Sequence, residues 1–261
     1  MSLLLQNCDW ISTLPDDILI KILSLVTVSD AAMTSCLSTR WRHLWKNVDH
    51  LIFDAHTLNM QDPEISDYHA NLEVWKVEAT KFVHKVNGLL GIHYGNKIKE
   101  FTVRFPLTAA HASVLDHWLG FAASASTEKL CVDLDDRHCE FNCWNCLRGC
   151  KFDSQPYDFL LSPFTDARGC RLRELTLSTC SLGTTPTNLS GFSCLHFLSL
   201  VQVSVTDATV SDIMSSCCAL ESLNLEYCNQ LIHLTITHSQ LLNLDVEIGR
   251  ASCRERVYVL V

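Results

Sequence analysis

The chain has no apolar run near the ~20 residues that a membrane-spanning helix needs. Its first residues, Met1-Ser2-Leu3-Leu4-Leu5-Gln6-Asn7, lack the basic start and long apolar stretch of a signal peptide. Positive charge is scarce: 20 Lys and Arg against 29 Asp and Glu give a formal net charge of −9. With no basic tract, there is no electrostatic footprint for nucleic acid or an anionic membrane. Catalytic signatures are missing as well. The sequence contains no Gly-rich phosphate loop, no Gly-x-Ser-x-Gly elbow and no His-Glu-x-x-His. Its 12 histidines are scattered without the spacing of a ligand set. The expectation is a soluble, intracellular, non-enzymatic protein of the cytoplasm, the nucleus or both, without a cofactor.

What is present is enough for a large core. The chain has 261 residues, of which 48% are hydrophobic and 19% charged. Its 14 cysteines would suggest disulfides in a secreted chain. With nothing to direct it to an oxidising compartment, reduced thiols acting as small buried hydrophobes are expected.

The most informative segment is residues 14–45. Pro15 suits a first helical position, where its missing N–H has no partner to lose. Asp16 and Asp17 follow at the positive end of the helix dipole. Leu14, Ile18, Leu19, Ile22 and Leu23 recur at helical spacing on one face. This helix is expected to end near Val26 or Thr27, with Ser29 or Asp30 capping a second one. In the second helix Met33, Cys36, Leu37, Trp41, Leu44 and Trp45 form the apolar stripe, and Arg40, Arg42, His43 and Lys46 face elsewhere. Two short helices cannot enclose a core of their own, so they need something to dock against. Such stripes are also ordinary core. A helix-turn-helix with Arg40, Arg42 and Lys46 on phosphates fits the spacing, but the negative net charge opposes it.

Residues 10–50 resemble an F-box of the large plant families, most specifically in Leu14-Pro15-Asp16-Asp17 and in Ser38-x-Arg40-Trp41-Arg42-x-Leu44-Trp45. The resemblance implies docking onto the Skp-type adaptor of a cullin–RING ubiquitin ligase. Carried over by position, Leu14, Pro15, Ile18, Leu19, Ile22 and Leu23 would sit on the adaptor. Leu37, Trp41, Leu44 and Trp45 would complete that surface. Two departures from the pattern bear on docking strength: Thr27-Val28-Ser29 lacks the frequent proline, and Ala32 replaces a larger aliphatic.

From residue 98 a second pattern appears. Leu172-x-x-Leu175-x-Leu177, Leu195-x-x-Leu198-x-Leu200 and Leu220-x-x-Leu223-x-Leu225 read as the strand segments of a leucine-rich repeat. Leu231-x-x-Leu234-x-Ile236 and Leu241-x-x-Leu244-x-Val246 read as later copies, too closely spaced for a helix between them. Weaker copies are Ile98-x-x-Phe101-x-Val103 and Leu130-x-Val132. Cys180 and Cys228 occupy the inward slot three residues after the last leucine and are expected to be structural. Asp207 can cap a helical return arm whose buried face is Val210, Ile213 and Met214. Tyr68 to Val86 reads as a helix over the start of the solenoid.

The expected fold is therefore α+β: a helical F-box over 10–54, a helical linker over 55–97, and a repeat α/β solenoid with short parallel strands over 98–248. A Cys-rich insertion spans 138–150. The tail 249–261 drops the pattern and supplies no polar cap over the last repeat, as in a truncated or aberrantly spliced product. Cys139, Cys143, Cys146 and Cys150, beside His138, could supply four thiolates to zinc. Their spacing is tighter than structural zinc sites use, so an irregular insertion without metal is expected.

The resemblance to plant F-box/leucine-rich-repeat proteins implies a substrate receptor, with the F-box on the adaptor and the repeats on a target protein. The alternative is a repeat scaffold with no ligase role. A zinc-dependent enzyme lacks a visible general base beside the cysteines. A chain that docks the adaptor but recognises nothing would follow if the tail is aberrant.

Overall fold

The computed structural model describes residues 10–60, 72–95, 97–135, 155–165, 171–183, 189–228, 230–236, 238–247 and 258–259. Three short helices come first: α1 (Asp16–Leu23), α2 (Val28–Met33) and α3 (Thr39–Leu44). A sheet of parallel strands follows, built from β1 (His50–Phe53), β2 (Glu100–Arg104), β3 (Lys129–Asp133), β4 (Glu174–Ser178), β5 (Phe197–Val201) and β6 (Ser222–Glu226). After β7 (Thr235–Ile236), β8 (Asn243–Glu247) joins the sheet beside β6. β7 instead pairs in parallel with β9 (Tyr258–Val259).

Each strand pairs with the next in chain order, so the sheet grows by one return coil at a time. Side chains alternate along a strand, and the register turns that alternation into two inner columns. Leu51, Phe101, Leu130, Leu175, Leu198, Leu223 and Leu244 form one. Phe53, Val103, Val132, Leu177, Leu200, Leu225 and Val246 form the other. Parallel strands need a crossover. It is helical in α4 (Leu72–Leu90), α5 (Ala112–Ser124) and α6 (Asp207–Ser216), and reduced to 3-10 turns at Ser162–Phe164 and Ser190–Phe192. This is the expected α+β architecture of helices followed by a parallel repeat sheet.

A recurrent corner closes the later strands. Thr179, Gln202 and Tyr227 follow β4, β5 and β6 with φ of 55°, 54° and 55°. Their N–H groups donate to Val201 O, Glu226 O and Glu247 O, at 3.0, 2.7 and 2.8 Å. The corner turns the next residue inward: Cys180, Val203 and Cys228 are all buried. Burial pushes the Cys180 thiol up to about 12 and the Cys228 thiol up to about 11, so both remain protonated.

Four details differ from the sequence expectation. The segment Leu231–Ile236 is not a repeat strand of the main sheet; it lies in the return between β6 and β8, and only Leu241–Val246 supplies the next strand. The coil therefore has ordinary length, which removes the apparent crowding. β1 was not foreseen, because Leu51-Ile52-Phe53 is an unbroken apolar run without the repeat's leucine spacing; it lies inside the span read as F-box. The N-cap of α6 is Thr206, whose hydroxyl accepts from Thr209 N at 3.3 Å. Asp207 reaches instead to the following coil and accepts from Ile232 N and His233 N. Lastly, residues 28–44 hold two helices rather than one. Thr27, not Ser29 or Asp30, caps α2, and Ser38 caps α3.

Candidate functional site

α1 to α3 contain 8, 6 and 6 residues, too few to be stable alone. They hold together by burying one side into the sheet's own core. Leu19, Leu23, Val28, Ala31, Leu44 and Trp45 belong to the same buried cluster as Leu51, Phe53 and Phe101. A polar clamp adds register. Arg40 donates through Nε to Asp16 Oδ1 at 2.8 Å, and through its terminal nitrogens to Ser12 O and Leu14 O at 2.6 and 2.5 Å. The planar fork of a guanidinium suits three acceptors converging on one side chain. Thus α3 fixes the start of α1.

The residues expected to dock divide into three groups. Leu19, Leu23, Leu44 and Trp45 are buried in the chain's own core, so their side chains present no outer surface. Leu14 and Trp41 are half-buried and pack against that core. Pro15, Ile18, Ile22 and Leu37 are exposed. The helix α1 carries two apolar columns: Leu19/Leu23 turns inward and Ile18/Ile22 stays outside. The apolar arc is wider than one buried stripe requires.

Further apolar residues share this exposure. Of the 14 exposed large hydrophobics among the described residues, 8 lie between Trp10 and Leu37. Leu25 is 84% and Trp10 74% exposed, with Val26, Met33 and Ile11 also uncovered. Leu25 and Val26 escape a helical reading because α1 stops at Leu23, where Ser24 Oγ donates to Ile20 O at 3.0 Å. The signal available was the excess of large apolar residues over one helical face. Isolated exposed hydrophobics are normal on any surface; here they concentrate in one segment of the chain that spans several short helices and the turns between them.

The helices are joined to the sheet by polar contacts, partly buried at Asp49 and buried at His93. Asp49 Oδ1 accepts from Ser24 Oγ at 3.0 Å and pairs with His50 Nδ1 at 2.8 Å; Oδ2 lies 2.5 Å from Lys99 Nζ. Burial pushes the Asp49 carboxyl upward, but hydrogen bonds from Lys99, Ser24 and His50 outweigh it and hold the group below its ordinary value. His93 is buried against Trp45, with ring centroids 6.4 Å apart, and against Phe121 at 6.1 Å. Its Nδ1 accepts from Gly95 N and its Nε2 faces Val48 O, both at 3.0 Å, which fixes the neutral Nε2–H tautomer. Burial keeps His93 below its ordinary pKa, partly offset by the Val48 carbonyl.

Cys139, Cys143, Cys146 and Cys150, with His138, lie outside the described residues. Among the described residues no cluster of His, Cys, Asp or Glu could hold a metal ion. No described helix is long and apolar enough to cross a membrane.

Residues 11–53 match the F-box domain, and residues 89–253 match the family described as At1g61320/AtMIF1, LRR domain. Similar proteins come from Arabidopsis thaliana. F-box/FBD/LRR-repeat protein At1g13570 is 28% identical over 93% of this chain and 50% of its own length. F-box/LRR-repeat protein 25 is 28% identical over 96% of this chain and 80% of its own length. F-box protein At1g80960 is 49% identical over 53 residues, 20% of this chain. The chain spans about half the length of several of the relatives it matches.

Proposed function

Because the chain belongs to the plant F-box/leucine-rich-repeat proteins, with an LRR domain of the At1g61320/AtMIF1 family, we propose that it is a substrate receptor of a Skp–cullin–F-box ubiquitin ligase. One observation carries the reading. The three short helices and the turns around them spend Leu19, Leu23, Leu44 and Trp45 on the internal core, yet keep Ile18, Ile22, Leu25, Met33 and Leu37 uncovered. A rigidly mounted apolar face of this kind suits burial against the Skp-type adaptor. The F-box would fix the chain to the adaptor and so to the cullin–RING ligase, in the cytoplasm or nucleus. The sheet would hold a target protein. The contribution to ubiquitin transfer is positioning, which raises the effective concentration of a target lysine without chemistry by this chain.

The test is adaptor binding by purified chain. Full burial of an Ile side chain is worth about 2 kcal/mol, roughly thirtyfold in affinity. Ile18→Asp with Ile22→Asp should abolish co-purification with the adaptor while leaving the circular dichroism unchanged, since both side chains are exposed. Leu14→Ala with Pro15→Ala should also weaken it. Undiminished binding by the Asp pair would end the docking proposal, and absence of binding by the unmodified chain would favour the non-ligase scaffold.

A further inference from the structure

The helix α1 begins differently from its neighbours. Thr27 Oγ1 accepts from Asp30 N at 3.1 Å and Ser38 Oγ from Trp41 N at 3.4 Å, so α2 and α3 each carry a side-chain cap. The N-cap of α1 is Pro15, whose ring offers no acceptor and makes no cap bond. Its start is held from outside instead. Arg40 Nε donates to Asp16 Oδ1 at 2.8 Å, and the terminal nitrogens donate to Ser12 O at 2.6 Å and Leu14 O at 2.5 Å. These acceptors lie on both sides of Pro15. A cation at the positive end of a helix opposes the dipole. Arg40 is therefore placed by its three acceptors, not by helix electrostatics.

Two of the three acceptors are main-chain carbonyls, so the contact fixes the path of the backbone and not merely a side chain. At the other end of α1, Ser24 Oγ donates to Ile20 O and Asp49 Oδ1, both at 3.0 Å. Leu19 and Leu23 hold the inner side between these two points. With only 8 residues in α1, a change at its first turn reaches Ile18 at once. The side chains of Arg40 and Asp16 are 36% and 63% exposed. An ion pair so open contributes little to global stability. Its effect is on the direction of α1.

We propose that Arg40 is a positioning residue for adaptor docking. It orders residues 12–16 so that Pro15, Ile18 and Ile22 are already presented in one direction when the adaptor arrives. The inference rests on the docking reading above. Ordering the segment beforehand removes that cost from the binding step and so raises affinity. The planar fork is essential, because a lysine ammonium is a point charge and cannot span three acceptors in the same way. If Arg40 instead touched the adaptor itself, its loss would be independent of Asp16.

The experiment has two readouts, both on the full chain. The first needs no adaptor: amide hydrogen exchange at Leu14, Ile18 and Leu19, whose N–H groups donate to Ile11 O, Pro15 O and Pro15 O. Arg40→Ala should speed exchange there roughly tenfold or more, with the urea midpoint and exchange in the sheet unchanged. The second is adaptor affinity, which should fall roughly tenfold or more. Arg40→Lys should recover only part of both. Asp16→Asn should weaken binding alone but add nothing to Arg40→Ala, since both act through one contact. Unchanged exchange at α1, exchange that rises everywhere with a lower urea midpoint, full recovery by lysine, or additive losses at Arg40 and Asp16 would each overturn the proposal. If the unmodified chain fails to bind the adaptor, the docking reading falls and this inference with it. If the unmodified chain binds and Arg40→Ala binds equally well, only the positioning role falls.

Discussion

A Cβ on Gly191 would lie 1.8 Å from the Phe164 carbonyl oxygen and 2.9 Å from its carbonyl carbon. Backbone atoms cannot rotate away as a side chain can, so the two 3-10 return turns approach this closely only at a glycine. Gly191→Ala is expected to lower stability by about 3 kcal/mol, as overpacking does, read by urea denaturation. His93 gives a prediction in pH. Its folded pKa is lowered, so the unfolded chain binds the proton more readily. Stability is therefore intact above the ordinary value of 6.5 and declines as pH falls through it. Protonation would also place a second donor against the Gly95 N–H. Unfolding free energy measured from pH 7 to 5 should fall in the native chain and flatten in His93→Asn. Asp49, also lowered, contributes stability present above 3.8 and lost only as pH drops below that value, so the two groups act in separate windows.

At the scale of elements, the corner after each later strand is a non-glycine residue in the left-handed region, which costs such residues about 1–2 kcal/mol. The corner persists because Gln202 N donates to Glu226 O and turns Val203 into the core. A β-branched residue suits this region worst. Gln202→Val should lose about 1–2 kcal/mol, whereas Gln202→Gly should stay within about 0.5 kcal/mol, since relieved strain offsets the freedom gained by the unfolded chain. Thermal melts of both variants would check the pair. These corners also mark what sequence reading could reach. The leucines of β4, β5 and β6 were legible because their period-2 spacing is imposed by the pleat, and Cys180 and Cys228 followed from it. Leu231-x-x-Leu234-x-Ile236 has the same spacing but a different place, because spacing cannot tell a strand from a return segment that also faces the core. β1 was hidden for the opposite reason: it is apolar on both sides. On the helices, the outward set Ile18 and Ile22 was legible. The inward set Leu19, Leu23, Leu44 and Trp45 was read with it, because a helix carrying two apolar columns does not say in sequence which one the chain itself will cover. Arg40 was read only as facing away from the stripe, since its partners Ser12, Leu14 and Asp16 lie far back along the chain.

Across the whole molecule, the three N-terminal helices and the sheet form one packed body. Trp45, at the end of the helical segment, is 2% exposed, and its ring meets that of His93, which follows α4 in the chain. Tyr94 N donates to Lys46 O at 3.1 Å, and Lys99 N to Asp49 O at 2.7 Å. Leu51 and Phe53 follow within a few residues and open the two core columns. The exposed face of the short helices is thereby held at a fixed geometry to the parallel sheet. The same continuity means that the helical unit should have no stability of its own. A fragment of residues 10–54 lacks His93, Phe101 and Phe121 and is expected to show no helical circular dichroism. In the full chain, Trp45→Ala removes a buried indole and should cost about 3–5 kcal/mol. If the body is cooperative, the loss will move helical dichroism and proteolytic susceptibility of the sheet together, in one urea transition. Two transitions, with the helices melting first and the sheet unmoved, would show instead that the F-box hangs on the solenoid as a separate unit and that its geometry to the sheet is not fixed by this packing.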